Sequence, residues 1–182
     1  MQYQYILAAM GSNRPGVVAE VTEAIYTAGC NIENSFMTLM GIHFTLMIHV
    51  VAEEEENANS LQNNLMALEQ KQDLKVQIFP MESDEIEISR ARKTQPEYEI
   101  RVRGVDQAGI VYRTSQLLAS RGINILKLST KVDRSRHLHQ PLFTMRISIE
   151  VPKEINGQAL RRDLEALAED MQETITLTRK RD

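Results

Sequence analysis

The feature that most constrains this chain is that it repeats itself. Displaced by 93 residues, Tyr5 falls on Tyr98, Gly16 on Gly109, Val18 on Val111, Gly29 on Gly122, Asn31 on Asn124 and Ile32 on Ile125. Farther along the displacement becomes 99, so that Phe44-Thr45 meets Phe143-Thr144, and Leu61, Leu65 and Leu68 meet Leu160, Leu164 and Leu167. Self-similarity at one spacing means that a single supersecondary unit is used twice. The change of displacement requires about six extra residues in the second copy. The polar stretch from Asp133 to Gln140 is where they fit.

Both copies carry the same order of elements. Tyr98, Ile100 and Val102 alternate with Glu99, Arg101 and Arg103, the period of a half-buried strand, while the more uniformly apolar Tyr3 to Met10 reads as a central strand. A turn follows, and Asn13 and Asp106 are placed to cap a helix through their side-chain oxygens. Helices are expected over Val17 to Ala28 and Ile110 to Arg121, closed by Gly29 and Gly122, residues suited to the left-handed stop. Strands follow from Ile32 and Ile125. Alternating strands carry Phe44, Leu46, Ile48 and Val50, and Phe143, Met145, Ile147 and Ile149. The leucine stripes mark second helices, and Val76, Ile78, Ile175 and Leu177 mark last strands.

The order βαββαβ, read twice, predicts an α+β protein of two ferredoxin-like modules, each an antiparallel sheet backed by two helices. The expected divisions are module one over residues 1–80, a charged linker over 81–96 in which Ile86 and Ile88 suit a short strand, and module two over 97–182. Units of about 80 residues are marginal alone, and sheet edges must be paired or covered. Association of the modules with each other, or with a second chain as a homo-oligomer, is therefore expected.

Composition narrows the functions. No apolar run approaches the ~20 residues of a membrane span, no secretory signal is evident, and the single Cys30 rules out an internal disulfide, so a reducing cytoplasm is the expected setting. Residues 1–80 hold three basic and nine acidic side chains, and residues 97–182 hold fifteen and twelve. An acidic half joined to a basic half can dock internally or across a dimer, or both surfaces can simply be solvated. The third strand lacks the basic-Gly-aromatic pattern of RNA-binding sheets, the chain has no Trp, and its net charge is −4. Direct nucleic-acid binding is not expected. His137 and His139 lack a third ligand, His43 and His49 lie six residues apart, and the run Glu53 to Glu56 reads as a solvated helix start, so neither metal, cofactor nor catalytic residue is predicted.

In both copies a glycine-bearing turn delivers the chain into a helix, where free N–H groups and the positive dipole end suit a carboxylate. About fifteen residues on, Gly29-Cys30-Asn31-Ile32 and Gly122-Ile123-Asn124-Ile125 return the chain to a strand with an amide that both donates and accepts. Spacing alone leaves a ligand role and a purely structural role equally open.

The run Asn13-Arg14-Pro15-Gly16-Val17-Val18-Ala19 with Gly29-Cys30-Asn31-Ile32 resembles the ACT domain, a small regulatory module. Its second occurrence is Asp106-Gln107-Ala108-Gly109-Ile110-Val111 with Gly122-Ile123-Asn124-Ile125. The resemblance covers nearly the whole chain. It implies amino-acid binding at interfaces between modules, with Asn13, Gly16, Val17, Asn31 and Ile32 lining one site and Asp106, Gly109, Ile110, Asn124 and Ile125 the other. A tandem pair with no enzyme or DNA-binding domain attached is similar to glycine-responsive members that restrain a transcriptional activator by protein contact. The alternative is a ligand-free interaction module. This chain departs from the family pattern at Asn13, where an acidic residue is usual, and at Ala108, where copy one has Pro15.

Overall fold

A computed structural model describes residues 2–71, 73–82, 97–135 and 139–180. The chain divides into two compact units, Met1–Ala91 and Arg92–Asp182. The first contains β1 (Tyr3–Ser12), α1 (Val17–Thr27), β2 (Asn31–Met40), β3 (His43–Ala52), α2 (Glu55–Lys71) and β4 (Leu74–Pro80). The second contains β5 (Glu97–Val105), α3 (Ile110–Ser120), β6 (Asn124–Asp133), β7 (Leu142–Glu150), α4 (Gly157–Met171) and β8 (Thr174–Arg179). The expected short strand at Ile86 and Ile88 lies outside the described residues.

Each unit is one four-stranded antiparallel sheet, in the orders β2-β3-β1-β4 and β6-β7-β5-β8. The uniformly apolar β1 is central, as its composition predicts. Alternation decides which face is buried. Tyr5, Leu7 and Ala9 of β1 and Phe44, Leu46, Ile48 and Val50 of β3 close on Val21 and Ile25 of α1 and Leu61 and Leu65 of α2. Ile100 and Val102 of β5 and Phe143, Met145, Ile147 and Ile149 of β7 close in the same way on Leu118, Leu160 and Leu164. Each fully buried aliphatic side chain contributes about 1.5–3 kcal/mol relative to exposure, so these two faces carry the stability of the units.

The two copies differ in length at one hairpin. Met40 and His43 are register partners across the two-residue turn Gly41-Ile42, whereas Asp133 and Leu142 enclose eight residues. The six additional residues therefore extend the β6–β7 connection, of which 136–138 lie outside the described residues.

Both first helices stop as predicted. Gly29 (φ 72°) and Gly122 (φ 64°) are left-handed, and the paired backbone bonds Gly29 N–H to Tyr26 O and Cys30 N–H to Ile25 O recur at Gly122 to Ala119 and Ile123 to Leu118. The helix starts differ from expectation. The caps are Gly16 (φ 91°) and Gly109 (φ 95°), with no side-chain capping bond. Asn13 and Asp106 lie three residues upstream, where their backbone N–H groups donate to Ile42 O (2.7 Å) and Pro141 O (2.9 Å). The glycine turn swings the chain into the helix after these residues, so their oxygens are not set over the helical N–H groups.

A second pair of equivalent glycines closes the first strand of each copy. A Cβ on Gly11 would lie 2.6 Å from the Asp73 carbonyl oxygen, and one on Gly104 would overlap the Glu173 carboxylate. Backbone cannot yield to such a contact as a flexible side-chain end can. Gly11→Ala is expected to cost about 1–3 kcal/mol, read as a lower urea midpoint at unchanged slope. An unaltered midpoint would show that this strand end has room to spare.

Candidate functional site

The β1–α1 loop ends in a helix start whose backbone is poised toward solvent. Glu20 N–H makes the first helical bond, to Gly16 O at 2.9 Å, so Val18 and Ala19 precede it. Gly16 is exposed and Val17 buried, which anchors the helix while leaving the turn accessible. Arg14 forms a two-pronged ion pair with Glu20, Nη1 to Oε1 at 2.6 Å and Nη2 to Oε2 at 2.5 Å. Hydrogen bonding to this guanidinium holds the Glu20 carboxyl below the usual glutamate range and raises Arg14. No pattern along the chain announces this pair, because an i to i+6 spacing across a turn and the first helical turn gives no periodic signal.

The second loop is built differently. Gly109 and Ile110 repeat the exposed cap and buried anchor, but Gln107 replaces the arginine and reaches inward. Its Nε2 donates to Met171 O (2.6 Å) and Glu173 Oε1 (3.1 Å). Asp106 instead faces the long β6–β7 connection, with Oδ2 3.4 Å from Arg134. Copy two thus ties its loop to the end of α4 and to its own insertion, while copy one braces its loop within α1.

The Asn-Ile pairs open the edge strands. Asn31 and Ile32 begin β2 opposite Val51 and Val50, and Asn124 and Ile125 begin β6 opposite Glu150 and Ile149. Asn31 and Asn124 are exposed. Register also shows where they lie along the sheet. Val51 faces both Asn31 and Gln4, at the start of β1, whereas Asn13 follows the far end of that strand. At about 3.4 Å per residue Asn13 and Asn31 are about 30 Å apart along the sheet, and the helix start at Val17 is set off from Asn31 by the eleven residues of α1, about 16 Å. Within one module the structure therefore separates Asn13, Gly16 and Val17 from Asn31 and Ile32, and Asp106, Gly109 and Ile110 from Asn124 and Ile125.

What does gather at the Asn31 corner is a groove of about 440 Å³ between α1 and β2, lined by Ala19, Thr22, Tyr26, Cys30, Asn31 and Ile32 among others. Its rim is apolar and open: Tyr26 is 81% exposed, and every residue of β2 is exposed. Cys30 is half-buried at its base, packed against the core, and burial raises its thiol above the ordinary value. That is the behaviour of a small apolar residue, not of a nucleophile. His43 and His49 share the open sheet face, six residues apart on β3, and His49 Nε2 lies 2.9 Å from Gln4 Oε1. Among the described residues no group of three or more His, Cys, Asp or Glu is placed to hold a metal ion. Among them, too, no helix is long and apolar enough to cross a membrane.

A βαββαβ unit with a glycine-capped first helix and an exposed edge strand, present twice, defines a class of small regulatory modules. ACT-domain models match residues 4–78 and 98–169, and the chain belongs to the ACT-domain family, with two modules in tandem. Over 47 residues it is 36% identical to the glycine cleavage system transcriptional repressor of Escherichia coli, a match spanning 26% of this chain and 25% of that protein. Over 73 residues it is 30% identical to a UPF0237 protein of Streptococcus pneumoniae, covering 40% of this chain and 83% of that one. Two of the crystal structures that resemble this chain match its whole length. One, of unknown function, is from Galdieria sulphuraria (TM-score 0.79, 22% identity, all of both chains). The other is assigned as a glycine cleavage system transcriptional repressor (TM-score 0.75, 23% identity, 100% of this chain and 99% of that one). At these identities the two structures speak to the fold.

The Arg14–Glu20 pair makes a pH-dependent contribution. Because the folded pKa of Glu20 is depressed, the stabilisation is complete above the carboxyl's unfolded pKa and is lost as pH falls through the lower folded value. Arg14→Gln is expected to return Glu20 to the ordinary range and to remove that acid-side dependence, measured by carboxyl ¹³C titration of Glu20.

Proposed function

We propose that this chain is an amino-acid-responsive regulator without catalytic activity of its own, working in the cytoplasm through contact with a transcriptional activator. Glycine is the first ligand to test. The observation that carries the reading is the duplication of a glycine-capped helix start and a strand start bearing an exposed asparagine, at opposite ends of each module. One ligand can use both corners only if two modules meet with their edge strands running antiparallel. The loop of one module then faces the strand start of another. That pairing, within a chain or between two, also covers the exposed edges of β2 and β6.

In such a seam the parts have distinct tasks. The turn at Asn13, Gly16 and Val17, or at Asp106, Gly109 and Ile110, offers first-turn N–H groups and the positive helix end to a carboxylate. The amide oxygen of Asn31 or Asn124 from the opposing module accepts from an ammonium group, and Ile32 or Ile125 closes the apolar wall. A small ligand so held stabilises the paired arrangement, and it alters partner binding to the extent that its affinity differs between arrangements. The repressor likeness supports transcriptional control as the output.

Thermal unfolding against a panel of amino acids tests this directly. Saturation at a hundredfold over the dissociation constant adds about 2.7 kcal/mol, so glycine or a close relative is expected to raise the melting temperature. The double substitution Asn31→Ala and Asn124→Ala is expected to abolish that rise while leaving ligand-free stability within about 0.5 kcal/mol, as befits exposed positions. A flat response to every amino acid sinks the sensing role. Loss of ligand-free stability in the double variant instead points to an interaction scaffold.

A further inference from the structure

The face of each sheet that turns away from its helices has diverged between the copies. Register makes the comparison position by position. In the first module Ala8 faces Met47 and Met47 faces Phe36, with Met10 beside them, and Met10, Met47 and Phe36 are about half exposed. At the corresponding positions the second module sets Arg101 opposite Arg146, Arg146 opposite Ser129, and Arg103 beside them. Lys127 and Lys131 extend the row onto the edge strand β6, opposite Ser148 and Thr144. All five cations are exposed.

This arrangement works against the sheet that bears it. Like charges directly opposite one another on adjacent strands are unfavourable, with Cβ atoms only about 4.5–5.5 Å apart, yet Arg101 and Arg146 occupy such a pair on the two central strands. Glu99 offsets Arg101 through an ion pair, and Glu97 is engaged by Lys180 at 3.1 Å. The cations of this face alternate with hydroxyls: Arg103 faces Thr144 on one side and Thr174 on the other, and Arg101 faces Thr176. Guanidinium and hydroxyl donors in alternation match the acceptors of carboxylates, and an anionic partner relieves the repulsion.

We propose that this cationic sheet face, centred on Arg101, Arg103 and Arg146, is the docking surface for an acidic segment of a protein partner. The proposal rests on the reading above that the chain acts by protein contact, and it names where that contact is made and what chemistry it selects. A protein segment is favoured over nucleic acid because the face carries no aromatic side chain on which bases could stack. Residues 97–182 hold fifteen basic and twelve acidic side chains within a chain of net charge −4, so the excess of cations is local to this module and suits a short acidic segment.

Fluorescence anisotropy with the full chain tests the surface. The probes are a fluorescein-labelled (Glu-Ser)₆ peptide and labelled (dT)₂₀, titrated at 50 mM salt. The peptide is expected to bind, and Arg103→Gln with Arg146→Gln is expected to weaken it at least tenfold. Lys153→Gln with Arg162→Gln, which removes equal charge elsewhere on the module, is expected to change it less than twofold. Lys131→Gln on the edge strand, expected to weaken binding about threefold, serves if the central double variant does not fold. Absence of peptide binding, equal loss in the matched-charge control, no loss in any face variant, or tighter binding of (dT)₂₀ each overturns the proposal. The melting response to amino acids, measured on the same variants, is expected to persist, since none of these residues lies in the turns or strand starts. A surface that fails while that response survives leaves the sensing role standing, and the converse result leaves the surface standing.

Discussion

Everything in this molecule depends on alternation along two central strand pairs, β1 with β3 and β5 with β7. Every second residue is apolar and turned toward the helices, so each sheet buries one face and must leave the other open. The helices contribute stripes and not all-round apolarity, as Leu61 and Leu65, and Leu160 and Leu164, make plain. That single constraint sets the layer order, holds the glycine turns at one end and the Asn-Ile strand starts at the other, and frees the outer faces to vary.

Separation of the two corners is the consequence that matters most for function. A loop that suits a carboxylate and an asparagine that suits an ammonium group lie at opposite ends of an eleven-residue helix, about 16 Å long, in one module. Within a single module these two corners are too far apart for one small amino acid to touch both. Pairing is therefore part of the proposed chemistry, in which a ligand held between two modules would act on their association. Exposed apolar residues along β2, including Ile32, Phe36, Leu39 and Met40, are consistent with an edge that another element covers.

Duplication also exposes where the copies have taken different paths. The first module braces its loop with Arg14 and Glu20, and the second pins its loop through Gln107 to Met171 and Glu173. The outer face of the first is rich in methionine and phenylalanine, while that of the second is cationic. The ends of the first strands remain alike, with Gly11 and Gly104 each passing within contact of a following element. Two scaffolds of one design thus present two different surfaces.

The amino-acid sequence by itself determined the βαββαβ order, its repetition, the buried alternating positions and the glycine stops after the first helices. These are local matters, since strand period, helix stripe and left-handed glycine are all expressed over a few residues. It also marked the positions proposed to meet a ligand, though not their relation. Tertiary structure decided that Gly16 and Gly109, not Asn13 and Asp106, cap the helices, because the left-handed turn sets the path of the chain after those side chains. It alone revealed that Arg101 and Arg146 oppose each other, that Gln107 reaches Glu173, and that the two corners of each module lie at opposite ends. Those facts depend on strand register and on contacts between residues tens of positions apart, and no pattern read along one stretch of chain can contain them.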